Sequence, residues 1–226
     1  MAEAWPKAVV FDLDGTLIDS VGDIADALNE ALRRSDLATF TDDEVRLMIG
    51  GGSKVLIERT LAARERSRDT ELARQLHGDF IGVYQNASIG RTIIYPHALE
   101  LLDDLATRGL KLAICTNKPA GITEDVLVKL GLRGAFGAVV AGTDALPKKP
   151  NPAMLLAALS ALGVYPDEAV MIGDSGADVG AAEGAGIPVI AVTYGYTRTP
   201  PAELGANLLI DRLDEVVAAF EKLKPV

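Results

Sequence analysis

From residue 86 to the C-terminus, strand-like and helix-like stretches alternate without a break, and this alternation restricts the fold more than any other property of the chain. Helical 96–108 leads to the strand LKLAICTN (110–117), helical 120–131 to GAVVAGTD (137–144), helical 152–163 to AVMIGD (169–174), and helical 176–185 to PVIAVTYG (188–195). A short strand, NLLID (207–211), precedes a terminal helix over 212–223. Strands joined through helices return parallel, in one sheet packed against those helices. Residues 8–11, AVVF, are apolar on both faces, as a central strand of such a sheet must be.

Residues 20–85 carry no strand pattern. Val21, Ile24, Ala25, Leu28 and Leu32 share one face of a helix over 20–34. Thr41-Asp42-Asp43-Glu44 reads as a capping box, and Leu56, Ile57 and Leu61 keep helical spacing. The expected fold is therefore α/β: a parallel sheet built from 1–19 plus 86–226, with 20–85 inserted as a small helical domain.

The first strand ends in DLDGT. Side chains alternate along a strand, so Asp12 and Asp14 leave on one side. Two carboxylates ~4 Å apart repel by about 4 kcal/mol at an effective dielectric of ~20. A cation, a shared proton or loop exposure would relieve this. Ligands of open α/β sheets bind at the carboxyl ends of the strands. The other ends supply Thr116-Asn117-Lys118, Lys148-Lys149-Pro150 and Gly173-Asp174-Ser175, with Asp178 one turn on. Clustered carboxylates without His or Cys suit a hard cation, Mg²⁺ rather than zinc. Thr116 and the N–H groups around Gly15, Thr16 and Asn117 would cradle a phosphate, and Lys149 would neutralise it. Asp12 could then attack phosphorus, while Asp14 protonates the leaving oxygen and later activates water. That role needs Asp14 protonated at the start, which a crowded anionic site would favour.

Other chemistries lack their motifs. Cys115 is followed six residues later by Gly121 rather than Arg, GDSGA is not G-x-S-x-G, and neither GGGSKV nor GAGIPV is G-x-G-x-x-G. No Walker A loop is present, and His77 and His97 read as surface residues. A net charge of −10 argues against nucleic-acid and membrane-surface partners and leaves a small phosphorylated metabolite. A single cysteine excludes a disulfide framework and points to the reducing cytoplasm. There is no signal-peptide pattern and no apolar run near the ~18 residues of a membrane span. A monomer or homodimer is expected.

FDLDGT (11–16), ICTN (114–117), KKP (148–150) and GDSGAD (173–178) resemble, in order and spacing, the four motifs of the haloacid dehalogenase superfamily. The similarity runs through residues 8–195. It implies a Rossmann-like core with 20–85 as an α-helical cap, Mg²⁺ as cofactor, and hydrolysis of a phosphate monoester through an aspartyl-phosphate. It also implies that Asp12 is nucleophile and metal ligand, and that Asp14 is acid/base and a ligand through its carbonyl. Asp174 would bind the metal, Asp178 support the metal's waters, and Thr116 and Lys149 bind phosphate. Lys149 is favoured over Lys148 because it directly precedes Pro150.

Within the superfamily, IGGGSKVLIERTL (49–61), ICTNKP (114–119) and VTYGY (192–196) resemble bacterial phosphoglycolate phosphatases, enzymes of carbohydrate metabolism. YPHA (95–98) departs, with His97 where glycine is expected. The alternatives are a phosphosugar phosphatase, a β-phosphoglucomutase-like phosphotransferase and, more distantly, a non-enzymatic phospho-aspartate switch. Gly51, Gly52, Ser53 and Lys54 form either a substrate contact, with Lys54 meeting a carboxylate, or a turn between helices. Arg198 reads as a solvated loop residue.

Overall fold

The computed structural model describes residues 5–87 and 89–224. Residues 1–4, 88 and 225–226 of the expected core segments lie outside the described residues. The chain runs β1 (Ala8–Phe11), β2 (Ile18–Asp19), α1 (Val21–Arg34), α2 (Asp42–Arg46), α3 (Ser53–Ala63), α4 (Thr70–Asn86), β3 (Ile93–Ile94), α5 (Ala98–Thr107) and β4 (Lys111–Pro119). It continues as α6 (Ala120–Lys129), β5 (Ala138–Gly142), α7 (Ala153–Leu162), β6 (Ala169–Gly173), α8 (Gly176–Ala185), β7 (Val189–Val192), β8 (Leu208–Ile210) and α9 (Val216–Leu223).

Six strands form one parallel sheet in the order β5-β4-β1-β6-β7-β8. β1 is interior and fully buried, as its apolar run requires. Its side chains alternate between two cores: Val9 and Phe11 enter the larger, Ala8 and Val10 the smaller. Phe11 pairs with Ile114 on β4 and Ile172 on β6, so the polar residues that follow all three strands emerge side by side.

Helices α1–α4 form a layer over these strand ends, and α2 has the expected capping box between Thr41 and Glu44. The layer connects to the sheet through a feature the sequence pattern does not reveal. β2 and β3 pair antiparallel, Ile18 with Ile94 and Asp19 with Ile93. Two-residue strands carry no period to read. Buried Asp23 on α1 fastens the same junction, accepting from the N–H groups of Gly90, Arg91 and Thr92 at 3.2, 3.0 and 2.8 Å.

The terminal helix begins at Val216, after a 3₁₀ turn over Leu213–Glu215, slightly later than expected. His97, ahead of α5, has φ of 67°, the left-handed conformation that suits glycine. Among the described residues, no helix is long and apolar enough to cross a membrane.

Candidate active site

Asp12 continues β1, and its N–H donates to the Ile172 carbonyl at 2.9 Å. Asp174 follows β6, and Asp178 lies in the first turn of α8. Carboxylate oxygens of Asp12, Asp174 and Asp178 lie within 4.8 Å of one another, and all three residues are buried. Lys149 enters the cluster from the loop after β5. Its Nζ stands 2.6 Å from Asp178 Oδ1 and 3.0 Å from Asp12 Oδ1, and donates to the Cys115 carbonyl at 2.6 Å. Half-buried Lys148 turns away toward Gly52, where an added Cβ would meet its Nζ at 2.9 Å. Asp178 Oδ2 accepts from the N–H and hydroxyl of Ser175 at 3.0 and 2.7 Å. Asp174 Oδ2 accepts from the Tyr196 N–H at 2.6 Å. Gly15 must lack a side chain here, because a Cβ would stand 2.2 Å from Asp174 Oδ2.

Three buried carboxylates share one ammonium, so the cluster carries excess negative charge. Burial pushes the Asp12 carboxyl up to about 6, with Lys149 opposing and Asp178 adding to the rise. Burial, then Asp178 and Asp12, hold Asp174 well above the ordinary carboxylate range. Burial pulls the Lys149 ammonium down, but Asp12 and Asp178 outweigh it and hold it above the usual lysine value. Asp12 Oδ1 is buried against the Lys149 ammonium, and Thr16 Oγ1 is buried without a hydrogen bond among the described residues. Excess carboxylate charge and oxygen donors only fit a hard divalent cation.

Asp14 stands apart from this cluster. Its carboxylate accepts from Lys118 Nζ at 2.9 and 3.1 Å and from Ser20 Oγ at 2.6 Å. The crowded anionic surroundings expected for Asp14 are therefore replaced by an ammonium and a hydroxyl. Lys118 is itself buried and donates to Tyr84 Oη on α4 at 2.7 Å. Neither Lys118 nor Tyr84 was assigned a role by pattern. The only local signal is the position of Lys118 two residues beyond Thr116 on the same strand.

The predicted phosphate cradle is rearranged. The Gly15 and Thr16 N–H groups are engaged inside the turn, donating to the carbonyls of Ile18 and Leu13 at 2.9 and 3.3 Å. Asn117 works as a brace. Its side chain accepts from the Lys149 N–H at 2.9 Å and donates to the carbonyls of Lys149 and Gly50 at 3.0 and 3.1 Å. Thr116 Oγ1 accepts from the Lys118 N–H at 3.3 Å and lines the site.

Two spaces open beside these groups. A cavity of ≈ 50 Å³ lies between the strand ends and the helical layer, lined by Asp12, Asp14, Thr116, Lys118, Gly52 and Ser53 among others. A groove of ≈ 880 Å³ lies on the other side of the glycine loop and carries Gly51, Lys54, Arg59, Lys148 and Arg198. Lys54 thus faces the groove, 2.9 Å from exposed Asp144, and not the small cavity. Ser53 Oγ lies 2.9 Å from His77 Nε2, and His77 is half-buried rather than on the open surface. Burial lowers its pKa, with Lys54 and Lys148 adding to the effect. Cys115 is buried, and burial pushes its thiol up to about 12.

A family model for haloacid dehalogenase-like hydrolases matches residues 9–192. A phosphoglycolate phosphatase of Rhodospirillum rubrum is 42% identical over 210 residues, covering 91% of this chain and 87% of that protein. A phosphoglycolate phosphatase of Caulobacter vibrioides is 39% identical over 211 residues, covering 93% and 89%. The crystal structure of a predicted phosphoglycolate phosphatase from Haemophilus somnus superposes with a TM-score of 0.87 at 28% identity, covering 96% of this chain and 99% of that one.

Proposed function

Because the chain belongs to the haloacid dehalogenase-like hydrolases, we propose that it is a Mg²⁺-dependent phosphatase that converts 2-phosphoglycolate to glycolate through an aspartyl-phosphate. The observation that carries this reading is the meeting of Asp12, Asp174 and Asp178 with Lys149 at the strand ends. The names of the relatives support phosphoglycolate, as does the small size of the inner cavity.

Asp12 attacks phosphorus with a carboxylate oxygen, and the bond from phosphorus to the leaving oxygen breaks. Asp14 delivers a proton to that oxygen, and glycolate departs. Asp14 then takes a proton from the water that attacks the phosphorylated Asp12, which releases phosphate, frees the Asp12 carboxylate and returns Asp14 to its protonated form. Lys149 and Thr116 hold the phosphate oxygens during both transfers. Asp12, Asp174 and the Asp14 carbonyl would hold the Mg²⁺, with Asp178 behind them. The ion supplies positive charge against the phosphate and the crowded carboxylates. Residues 20–85 act as a cap that excludes water from the core of 1–19 and 86–226.

Phosphate release from a panel of phosphorylated metabolites, with Mg²⁺ and with EDTA, tests the reading. Mg²⁺-dependent release, fastest from 2-phosphoglycolate, is expected. A phosphosugar turned over faster would overturn the substrate; release from none of the panel would overturn the activity.

A further inference from the structure

The inner cavity has an uneven lining. Ile24, Leu56 and Phe80 close it from the helical layer, and Lys118 supplies an ammonium from β4. Lys54, Arg59, Lys148 and Arg198 open onto the outer groove instead. Lys118 is only 5% exposed, so its position is fixed by packing and by its bonds to Asp14 and Tyr84. An ammonium has three donors. Here they reach Asp14 Oδ1, Asp14 Oδ2 and Tyr84 Oη at 2.9, 3.1 and 2.7 Å, so a substrate carboxylate would take the place of the longest of these contacts.

Thr116 and Lys118 both line the cavity, two residues apart on β4. A phosphate held at Thr116 would therefore share this small cavity with an ammonium able to meet a second anionic group of the same molecule. The cavity measures ≈ 50 Å³. One water needs roughly 10–15 Å³ on that measure, so a few heavy atoms fit and a sugar ring does not.

We propose that Lys118 is the specificity-determining residue, binding the carboxylate of a two-carbon phosphate monoester while the apolar walls refuse larger leaving groups. This rests on the phosphatase reading above. Apolar walls strengthen such a charge contact, because little solvent competes for either partner. A cavity built this way would favour the acid over an uncharged isostere. Buried Tyr84 assists by holding the ammonium from the helical side.

The test compares 2-phosphoglycolate, its carboxamide and ethyl phosphate with the Mg²⁺-loaded enzyme. In the wild type, kcat/KM for the acid should exceed both analogues by about ten- to a hundredfold, the worth of one charge-assisted contact. Lys118→Gln should bring the three substrates close to parity. A variant that loses the same factor on all three would confine Lys118 to holding Asp14, and would overturn the proposal. A wild type that accepts the amide or the ethyl ester as readily as the acid would overturn it too, and that comparison decides alone should the variant not fold. Release of phosphate from none of these substrates, nor from any other monoester, would instead refute the phosphatase reading.

Discussion

Lys149 and Asp178 are locked together, Nζ to Oδ1 at 2.6 Å, with both side chains 1% exposed. Asp178 spends its second oxygen on Ser175 and on the Asp174 N–H. One carboxylate thereby fixes the ammonium beside Asp12 and the loop that presents Asp174. The arrangement leaves Asp12 and Asp174 as the carboxylates of the cluster with spare capacity.

Removing Lys149 should be costly for the fold. Taking away one partner of a buried ion pair leaves uncompensated charge and typically costs about 3–5 kcal/mol. Lys149→Met should lower the unfolding free energy measured by urea titration by an amount of that order, and should also abolish turnover. An unfolding free energy within about 1 kcal/mol of wild type, taken as roughly the limit for an exposed pair, would contradict the assigned burial.

Asp12→Asn keeps the size and shape of the side chain and removes the nucleophile. Turnover should fall by a factor on the order of a thousand or more, with the circular dichroism spectrum unchanged. Repeated turnover by the wild type in ¹⁸O water should place label in the Asp12 carboxylate. Unlabelled Asp12 in an active preparation would rule out the covalent route.

Metal-free protein should respond to pH in an unusual sense. Asp12 rises from its ordinary 3.8 to about 6 in the fold, and Asp174 rises as well. A carboxyl whose folded value exceeds the unfolded one stabilises the fold below the unfolded value and loses that contribution as pH rises through the folded one. In EDTA the melting temperature should therefore drop between about pH 4 and pH 6 through Asp12. Mg²⁺ at neutral pH should reverse the loss, by about 2.7 kcal/mol at a hundred times its dissociation constant. Asp174→Asn should melt higher than wild type in EDTA and gain less from Mg²⁺. Melting curves that ignore both pH and Mg²⁺ would exclude this account.

His97→Gly should stabilise the chain. A non-glycine residue in the left-handed region costs about 1–2 kcal/mol, which the entropy cost of glycine partly offsets. His97 has φ of 67°, and its Nε2 lies 3.4 Å from Arg212 Nη2. A gain of roughly 1–4 °C in melting temperature is expected. A clear decrease would show that the ring contributes more than its backbone costs.

The sheet and the acidic cluster were legible because their signals are local. Apolar runs bounded by turns gave the strands, and each strand's last residues gave Asp12, Thr116 and Asp174. The two-residue ladder of β2 and β3 escaped because a period needs more residues to appear. Tyr84 and Lys118 stand 34 positions apart, and Lys118 and Asp14 stand 104 apart. No spacing rule links such residues, since their contact exists only once α4 has settled over β4. The charge of Lys54 and its glycine neighbours leave a substrate contact and a turn between helices equally open, and in the fold its ammonium reaches outward to Asp144.

The helical layer begins after Ile18–Asp19 and ends before Ile93–Ile94, and these two strands are hydrogen-bonded neighbours in a two-stranded sheet of their own. The sheet is therefore indifferent to how long the intervening stretch is, or what it contains, so long as its two ends meet. Asp12, Asp174, Asp178 and Lys149 sit on the uninterrupted side of that junction. Ile24, Leu56, Phe80 and Tyr84, which shape the inner cavity, all arise on the interposed side. The apolar walls of the cavity can therefore be revised without rebuilding the acidic cluster, whereas Lys118 lies on the uninterrupted side together with that cluster.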